Sequence, residues 1–270
     1  MIEKSGDHTA FYRLIDSPDG GPETFDSLSA TAGPWSPDAQ HGGPPAALLG
    51  RAVERLAATD VGPATIGRFT MELLGPVPVG PLAVTATVVR PGRSVQLLGA
   101  ELYDAARGRV VASARAWLFP VSGEGPLPPT PPDHKPDDGV LHDLPEGWHG
   151  GYLDAVEWRW IAGAVTTPGP GVVWMRPPDL VEGEAISPVQ RLLACVDSAS
   201  GVSAALDARQ WAFLNTELTV HVLREPVGEW ICLDAETTLG NGTVGVATSV
   251  ASDREGLVAR SSQALLVAPR

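Results

Sequence analysis

The sequence predicts an α+β fold in which two helices lie on one continuous antiparallel sheet. Three observations lead there. The stretch Ser187–Gly201, SPVQRLLACVDSASG, carries helix signals at both ends. The chain repeats its own pattern once along its 270 residues. Within each copy a single helix is followed by a run of strands, an order that disfavours parallel βαβ units.

In chain order, Phe11–Asp38 reads as one or two short strands joined by Gly- and Pro-rich turns. His41–Leu56, HGGPPAALLGRAVERL, opens on Pro44 and Pro45 and continues as a helix. Ile66–Leu74, Leu82–Arg90, Ser94–Tyr103 and Arg109–Phe119 carry alternating or β-branched runs and read as four strands. Val121–Trp148 crowds Pro126, Pro128, Pro129, Pro131, Pro132 and Pro136 together with Asp133, Asp137 and Asp138, which suits a stiff, solvated connector. Tyr152–Ala162 and Val172–Arg176 read as strands. In the helix that follows, Ser187 suits the cap, Pro188 the first position and Gln190 the far side of a capping box, with Gly201 as the stop. Asn215–Arg224, Trp230–Leu239, Val244–Ser252 and Leu257–Ala268 complete the second set of four strands. The expected units are therefore an N-terminal half over residues 1–120, a linker over 121–148 and a C-terminal half over 149–270.

The repeat aligns Pro44 and Leu48-Leu49 with Pro188 and Leu192-Leu193, and Phe69-Thr70 with Leu218-Thr219. It also shows where the copies differ. Asp197 falls opposite Val53, and Gln263 opposite Ala116. Val189, Leu192, Leu193 and Val196 mark a buried helix face, and Asp197 sits on its edge. A desolvated carboxylate needs a partner there, and Gln263 on an apolar strand needs hydrogen bonds for its amide. One acid and one amide, each polar in one copy only, suggest one site per pair of halves. The bland alternative is a solvated helix acid and a sheet-surface amide.

Bulk properties narrow the function classes. Hydrophobic residues make up 43% of the chain, enough for a sizeable core, and the formal net charge of −13 argues against non-specific nucleic-acid binding. The N-terminus, MIEKSGDHTAFYRL, has no apolar signal-like run, and no stretch is long and apolar enough to span a membrane, so a cytoplasmic location is the default expectation. Cys195 and Cys232 sit in apolar runs and read as reduced core residues. The six histidines show no ligand spacing, so no metal is expected. His41 reads as a turn residue in preference to one near the pocket mouth. His221, between Val220 and Val222 on a strand, can face the site or solvent. Gly240–Gly245 matches GxGxxG literally but opens no helix, and reads as a hairpin turn. No GxSxG elbow is present.

The pieces GGPPAALL, WMRPP, SPVQRLLACVDSASGVSAAL, FLNTELTVHVLREPVGEW and SSQALL, in this order, resemble the TesB-type (type II) acyl-CoA thioesterases. The resemblance covers nearly the whole chain outside the Pro-rich connector. It implies a double hotdog, each long helix wrapped by a curled antiparallel sheet and the two halves forming a pseudo-dimer. It further implies hydrolysis of a fatty acyl-CoA by a held water, with coenzyme A only as part of the substrate and no separate cofactor. By position the catalytic set would be Asp197, Asn215 and Gln263. Asn215 stands where the family has Thr, and a one-residue slip would put Thr216 there instead; strand neighbours face opposite sides, so only one can reach the site. Association into a homo-oligomer, a dimer or larger, is implied too.

In that chemistry Asp197 is the general base, and the amides of Asn215 and Gln263 can orient acid and water together. The Gly42-Gly43 turn before the first helix permits close approach of substrate to backbone, where N–H groups can face a developing oxyanion. Arg68, Arg176, Arg191 and Arg224 are possible phosphate partners, with no choice among them. Two further readings keep the fold. One is a module that binds acyl chains or acyl thioesters without efficient chemistry, which the Asn215 departure allows. The other is hydration of an enoyl thioester, ranked last because no Asp/His pair is visible at a helix opening.

Overall fold

The computed structural model describes residues 9–60, 63–121, 128–146 and 148–270; Pro126, named above, and His8, one of the six histidines, lie outside them. The N-terminal half runs β1 (Ala10–Asp16), β2 (Glu23–Ser27), β3 (Ala32–Gly33), β4 (Ser36–Gln40), α1 (Gly43–Asp60), β5 (Ala64–Leu73), β6 (Pro81–Arg90), β7 (Gln96–Asp104) and β8 (Arg109–Pro120). The C-terminal half runs α2 (Tyr152–Ala155), β9 (Glu157–Ala164), β10 (Thr167–Arg176), β11 (Asp179–Val181), α3 (Pro188–Val196) and α4 (Ala199–Val202). It finishes with β12 (Trp211–Asn215), β13 (Glu217–Val222), β14 (Ile231–Leu239), β15 (Val244–Asp253) and β16 (Gly256–Pro269).

Fourteen strands share one sheet in the order β11-β1-β2-β6-β7-β8-β5-β13-β16-β15-β14-β10-β9, with β12 also on β16. Every pairing is antiparallel except that of β1 with β11. Strands β10 and β11 stand near opposite ends of this order, yet only Pro177 and Pro178 separate them in the chain. Two residues span roughly 10 Å at most, so the sheet must curl until its ends meet around the helices.

The repeat is visible in the register at the sheet's centre. Strand β5 pairs with β13 so that Thr70 faces Thr219, Phe69 faces Val220 and Met71 faces Leu218. Since Phe69-Thr70 is the counterpart of Leu218-Thr219, each residue meets the mirror of its neighbour, and the pseudo-two-fold passes through the threonines. Their hydroxyls lie 3.3 Å apart. The outer strands agree: Phe69 faces Ala116, and Thr219 faces Ser262, which makes Gln263 the counterpart of Ala116.

Helices α1 and α3 pack on each other inside this wrap. A Cβ on Gly50 would stand 2.5 Å from Leu193 Cδ1, so the missing side chain is what lets the helices approach. Leu48, Leu49, Val53, Leu192, Leu193 and Val196 are fully buried; each such side chain contributes about 1.5–3 kcal/mol over exposure.

Four local expectations are corrected. The segment 187–201 is not one helix: α3 stops with Asp197 as its C-cap, and α4 starts at Ala199. The Gln263 amide takes the Asp197 carbonyl at 2.9 Å, and the Gly201 N–H turns to Ser198 instead. The start of the expected strand at Tyr152 is a helical turn, closed by Ala155 N–H to Gly151 O at 3.0 Å and fastened by the Asp154 carboxylate on Gly150 N–H. The expected strand over 215–224 is interrupted at Thr216. There the register against β16 shifts by one between Asn215–Leu265 and Thr219–Ser262, a bulge that re-aims its neighbours. The connector, finally, is partly packed: Pro136 is buried, Val140 bridges to Trp160, and Trp174 Nε1 donates to His134 Nδ1 at 3.0 Å. Tryptophans on β9 and β10 draw it onto the sheet. Among the described residues no helix is long and apolar enough to cross a membrane.

Candidate active site

The break between α3 and α4 leaves Asp197 4% exposed with its carboxylate turned inward. Asp197 Oδ1 accepts from Asn215 Nδ2 at 2.7 Å and from Gln263 Nε2 at 3.0 Å. Gln263 is itself fully buried, and its Oε1 accepts from Ser200 N–H at 3.2 Å, at the start of α4. One amide therefore bonds the acid, the acid's own carbonyl and the next helix. Asn215 reaches the acid from the last position of β12. Thr216, beyond it, is exposed and directs its hydroxyl to Ala264 O at 3.4 Å, so the structure places Asn215 and not Thr216 at this position.

The other oxygen, Asp197 Oδ2, faces His41 Nδ1 at 3.2 Å. His41 corrects two expectations: it is no exposed turn residue, with a side chain only 14% exposed, and it forms an Asp/His pair at a helix opening. The ground for ranking enoyl hydration last therefore falls. The imidazole stacks face to face on Tyr152, centroids 3.8 Å apart and planes within 4°. The Tyr152 hydroxyl donates to Ala194 O at 2.7 Å and bonds Ser198 Oγ at 3.0 Å, which fixes the ring against the α3 terminus. Burial pushes the His41 pKa below its ordinary value, and the Asp197 charge opposes that with a smaller effect. The two contacts of Nδ1 favour opposite tautomers: Asp197 favours a proton on it, while Gly43 N–H, at 3.1 Å, favours a lone pair.

Sequence reasoning set His41 aside as a turn residue and passed over Tyr152. The first had a signal, a histidine directly before a Gly-Gly-Pro-Pro helix start. The second had none, because its ring reaches the site from a turn that was read as strand.

Gly42 and Gly43 have a packing reason to be glycine. A Cβ on Gly42 would stand 2.7 Å from both carboxylate oxygens of Asp197, and one on Gly43 would collide with Ala194 O. Their bareness lets the start of α1 touch the end of α3. Among the described residues Gly42 N–H has no protein acceptor.

Other candidates resolve as structure. Burial lifts the Cys232 thiol to about 12 and the Cys195 thiol further, so neither supplies a thiolate. His221 is exposed on the face away from the helices. Arg176 is held by Glu157 and Glu229, Arg191 by Gly228 O, and Arg224 by Asp253. Arg68 keeps a buried Nε without a partner. Gly240 closes a hairpin, donating to Val244 O at 2.8 Å. Among the described residues no group of three or more His, Cys, Asp or Glu side chains could hold a metal.

His41, Ser198 and Ser200 line a pocket whose other lining side chains are mostly apolar and aromatic. The arrangement brings a buried carboxylate, two oriented amides, an imidazole and a helix start together, and the imidazole also lines the apolar cavity. Such a set can hold a water, take its proton and meet the oxyanion that follows.

Comparison with known proteins bears on what the site is for. Residues 135–267 match the acyl-CoA thioesterase C-terminal domain family, and residues 31–119 match its N-terminal domain family. The structure is similar to a protein assigned as a thioesterase II from Thermobifida fusca YX, with TM-score 0.73, 20% identity and 97% of each chain covered. It is also similar to a hotdog-fold protein from Alicyclobacillus acidocaldarius, with TM-score 0.71, 18% identity and 97% of each chain covered. A third similar structure is acyl-CoA thioesterase II TesB2 from Mycobacterium marinum, at TM-score 0.66 and 15% identity, covering 95% of this chain and 96% of that one. At these identities the likenesses establish a hotdog fold. No curated protein matches the sequence.

Proposed function

Given that the chain belongs to the acyl-CoA thioesterase family and is a thioester hydrolase, we propose that it cleaves an acyl-CoA to the free acid and CoA with Asp197 as general base. The observation that carries this is the convergence of Asn215 and Gln263 on one oxygen of a buried carboxylate. Two donors saturate Oδ1 and fix the plane of the group. Oδ2 is left to accept a proton from water. The hydroxide adds to the thioester carbon, and the tetrahedral oxyanion faces the start of α1, where Gly42 N–H and the helix dipole favour negative charge. The carbon–sulfur bond then breaks, and the Asp197 carboxyl returns its proton to the CoA sulfur. No covalent acyl-enzyme and no cofactor is required. His41, beside Oδ2, positions the acid and the water.

In this reading the chain is a double hotdog, a pseudo-dimer of halves over residues 1–120 and 149–270 joined by the segment 121–148. The central Thr70–Thr219 register and the paired helices support it. The second half supplies Asp197, Asn215 and Gln263, and the first supplies His41 and the glycines, so neither half is sufficient alone. Association into a homo-oligomer stays part of the proposal.

Thiol release across a series of acyl-CoA esters tests the assignment. Asp197→Asn and Gln263→Ala should each lower turnover by about 10²–10⁴-fold, the range for a lost general base or its orienting partner, with near-normal thermal unfolding for Asp197→Asn and a lower midpoint for Gln263→Ala, whose buried partners lose their bonds. Wild-type rates in both variants would exclude the assignment. Binding without release in the unaltered protein would favour a non-catalytic acyl-binding module.

A further inference from the structure

The pocket beside Asp197 has an unusual wall. The chain has eight tryptophans in 270 residues, and four of them, Trp35, Trp148, Trp158 and Trp160, line this one cavity with Phe213. Trp158 and Trp160 sit two apart on β9 and so face the same side. Their rings are 6.2 Å apart and within 14° of parallel, a stacked pair of indoles. Trp35 and Trp148 meet edge to face at 6.1 Å. Trp158 also meets the edge of Tyr152 at 6.2 Å, and Tyr152 stacks on His41. An unbroken series of rings thus runs from the pocket wall to the imidazole beside the acid.

The core behind the pocket is closed. Leu192, Leu193, Val196 and Ala199 are fully inaccessible, and Val202, which lines the pocket, is 2% exposed. Packing of that kind leaves no channel along the helix for an extended chain. A cavity walled by indoles, with a closed core behind it, suits a flat group that can stack or meet ring edges. A long flexible chain would lose rotamer freedom there with little length of wall to follow.

We infer that the acyl group this site accepts carries a flat apolar ring, so that the preferred substrates are aryl-acyl thioesters of CoA rather than long-chain ones. The inference deepens the proposed hydrolysis and rests on it only for where the reacting carbonyl sits. The indoles hold the ring, and Trp158 sets specificity without taking part in the chemistry.

The test compares kcat/KM for phenylacetyl-CoA, benzoyl-CoA, hexanoyl-CoA and palmitoyl-CoA in one thiol-release assay. The expected result is at least a tenfold preference for an aryl ester over both straight-chain esters. Trp158→Leu should bring the phenylacetyl to hexanoyl ratio to within twofold of unity, and a ratio within one preparation is insensitive to the fraction folded. Trp35→Leu, expected to narrow the same ratio, serves if Trp158→Leu does not fold. Equal or better rates with hexanoyl- or palmitoyl-CoA overturn the inference and leave the hydrolytic assignment standing. If no ester is cleaved, that assignment fails instead, and Kd values from tryptophan quenching by the same four esters decide. A tenfold aryl preference in binding then upholds the ring pocket, and its absence removes it.

Discussion

At one end of the helix pair, α1 opens at Gly43 against the terminus of α3. At the other, α3 opens at Ser187 against the middle of α1. The repeat relates the two ends: Gly42, Gly43 and Val53 correspond to Ile186, Ser187 and Asp197, each 144 residues on. Both ends hold a buried or half-buried carboxylate, and the difference lies in where its donors come from. Glu54, one position past Val53, accepts from Ser187 Oγ at 2.8 and 2.9 Å and from Gln190 Nε2 at 2.7 Å. Both donors belong to the start of α3, Ser187 as its cap and Gln190 in its first turn. Where the second copy has Gln263 on the sheet, the first has Ala116. Asp197 is instead held through Oδ1 by amides from β12 and β16, and its Oδ2 remains open to the imidazole. A carboxylate saturated by the helix it faces stabilises that helix; one anchored from the sheet, with an oxygen to spare, can move a proton.

The largest effect should come from breaking the close approach at the site end. Gly42→Ala places a methyl 2.7 Å from both oxygens of Asp197, so the acid must move. A displacement of about 1 Å at a catalytic group costs on the order of 100-fold in rate, read as thiol release. Ile186→Ala, its counterpart, should leave the rate within about twofold. Unchanged turnover in Gly42→Ala would mean that the acid is not the base, and the contrast between the ends would collapse.

Next in size is the support that Glu54 gives to the capping box. Glu54→Gln keeps an acceptor for Ser187 but sets a second NH₂ against that of Gln190. The expected cost is about 1 kcal/mol, or roughly 2–4 °C in the unfolding midpoint, with turnover within about twofold. A large loss of activity without loss of stability would make the mirror end a second site.

These two ends also show what was legible beforehand. The capping box at Ser187–Gln190 is a local pattern and formed as read, with Gln190 N–H on Ser187 Oγ at 3.1 Å. The sheet followed from alternation and turns, and the Thr70–Thr219 register was implicit in the aligned repeat. Asp197 and Gln263 stood out because a duplicated chain carries its own reference: a polar residue opposite an apolar one is visible without any partner in view. What stayed hidden depends on long-range geometry. The stop of α3 at Asp197 is made by an amide 66 residues away. The bulge at Thr216 aims Asn215 through a register shift that no pattern in β12 or β13 signals. His41 has no polar counterpart in the second copy, so the same comparison that found Asp197 could have found it, had the turn before α1 been compared as closely as the helices. Glu54 was missed because it stands one residue off the aligned position.

The smallest effect separates the ends by the sign of their pH dependence. Burial makes folded His41 harder to protonate than the free group at 6.5. Just below that value the unfolded chain binds a proton that the native chain does not, so this term is fully favourable above 6.5 and is lost as pH falls toward the folded pKa. Burial also raises Glu54 above its ordinary 4.5, against the opposing bonds of Gln190 and Ser187. Here the native chain keeps its proton longer than the unfolded one, so stability declines as pH rises through 4.5 toward the folded value. The two slopes have opposite signs, one window opening downward from 6.5 and the other upward from 4.5. Unfolding midpoints measured from roughly pH 4 to 8 should therefore show His41→Gln flattening the fall that begins below 6.5 while leaving the carboxylate's slope in place. Glu54→Gln should do the converse. If His41→Gln kept the fall below 6.5 undiminished, the imidazole would not be the buried group at the start of α1, and the distinction between a working end and a capped end would lose its electrostatic half.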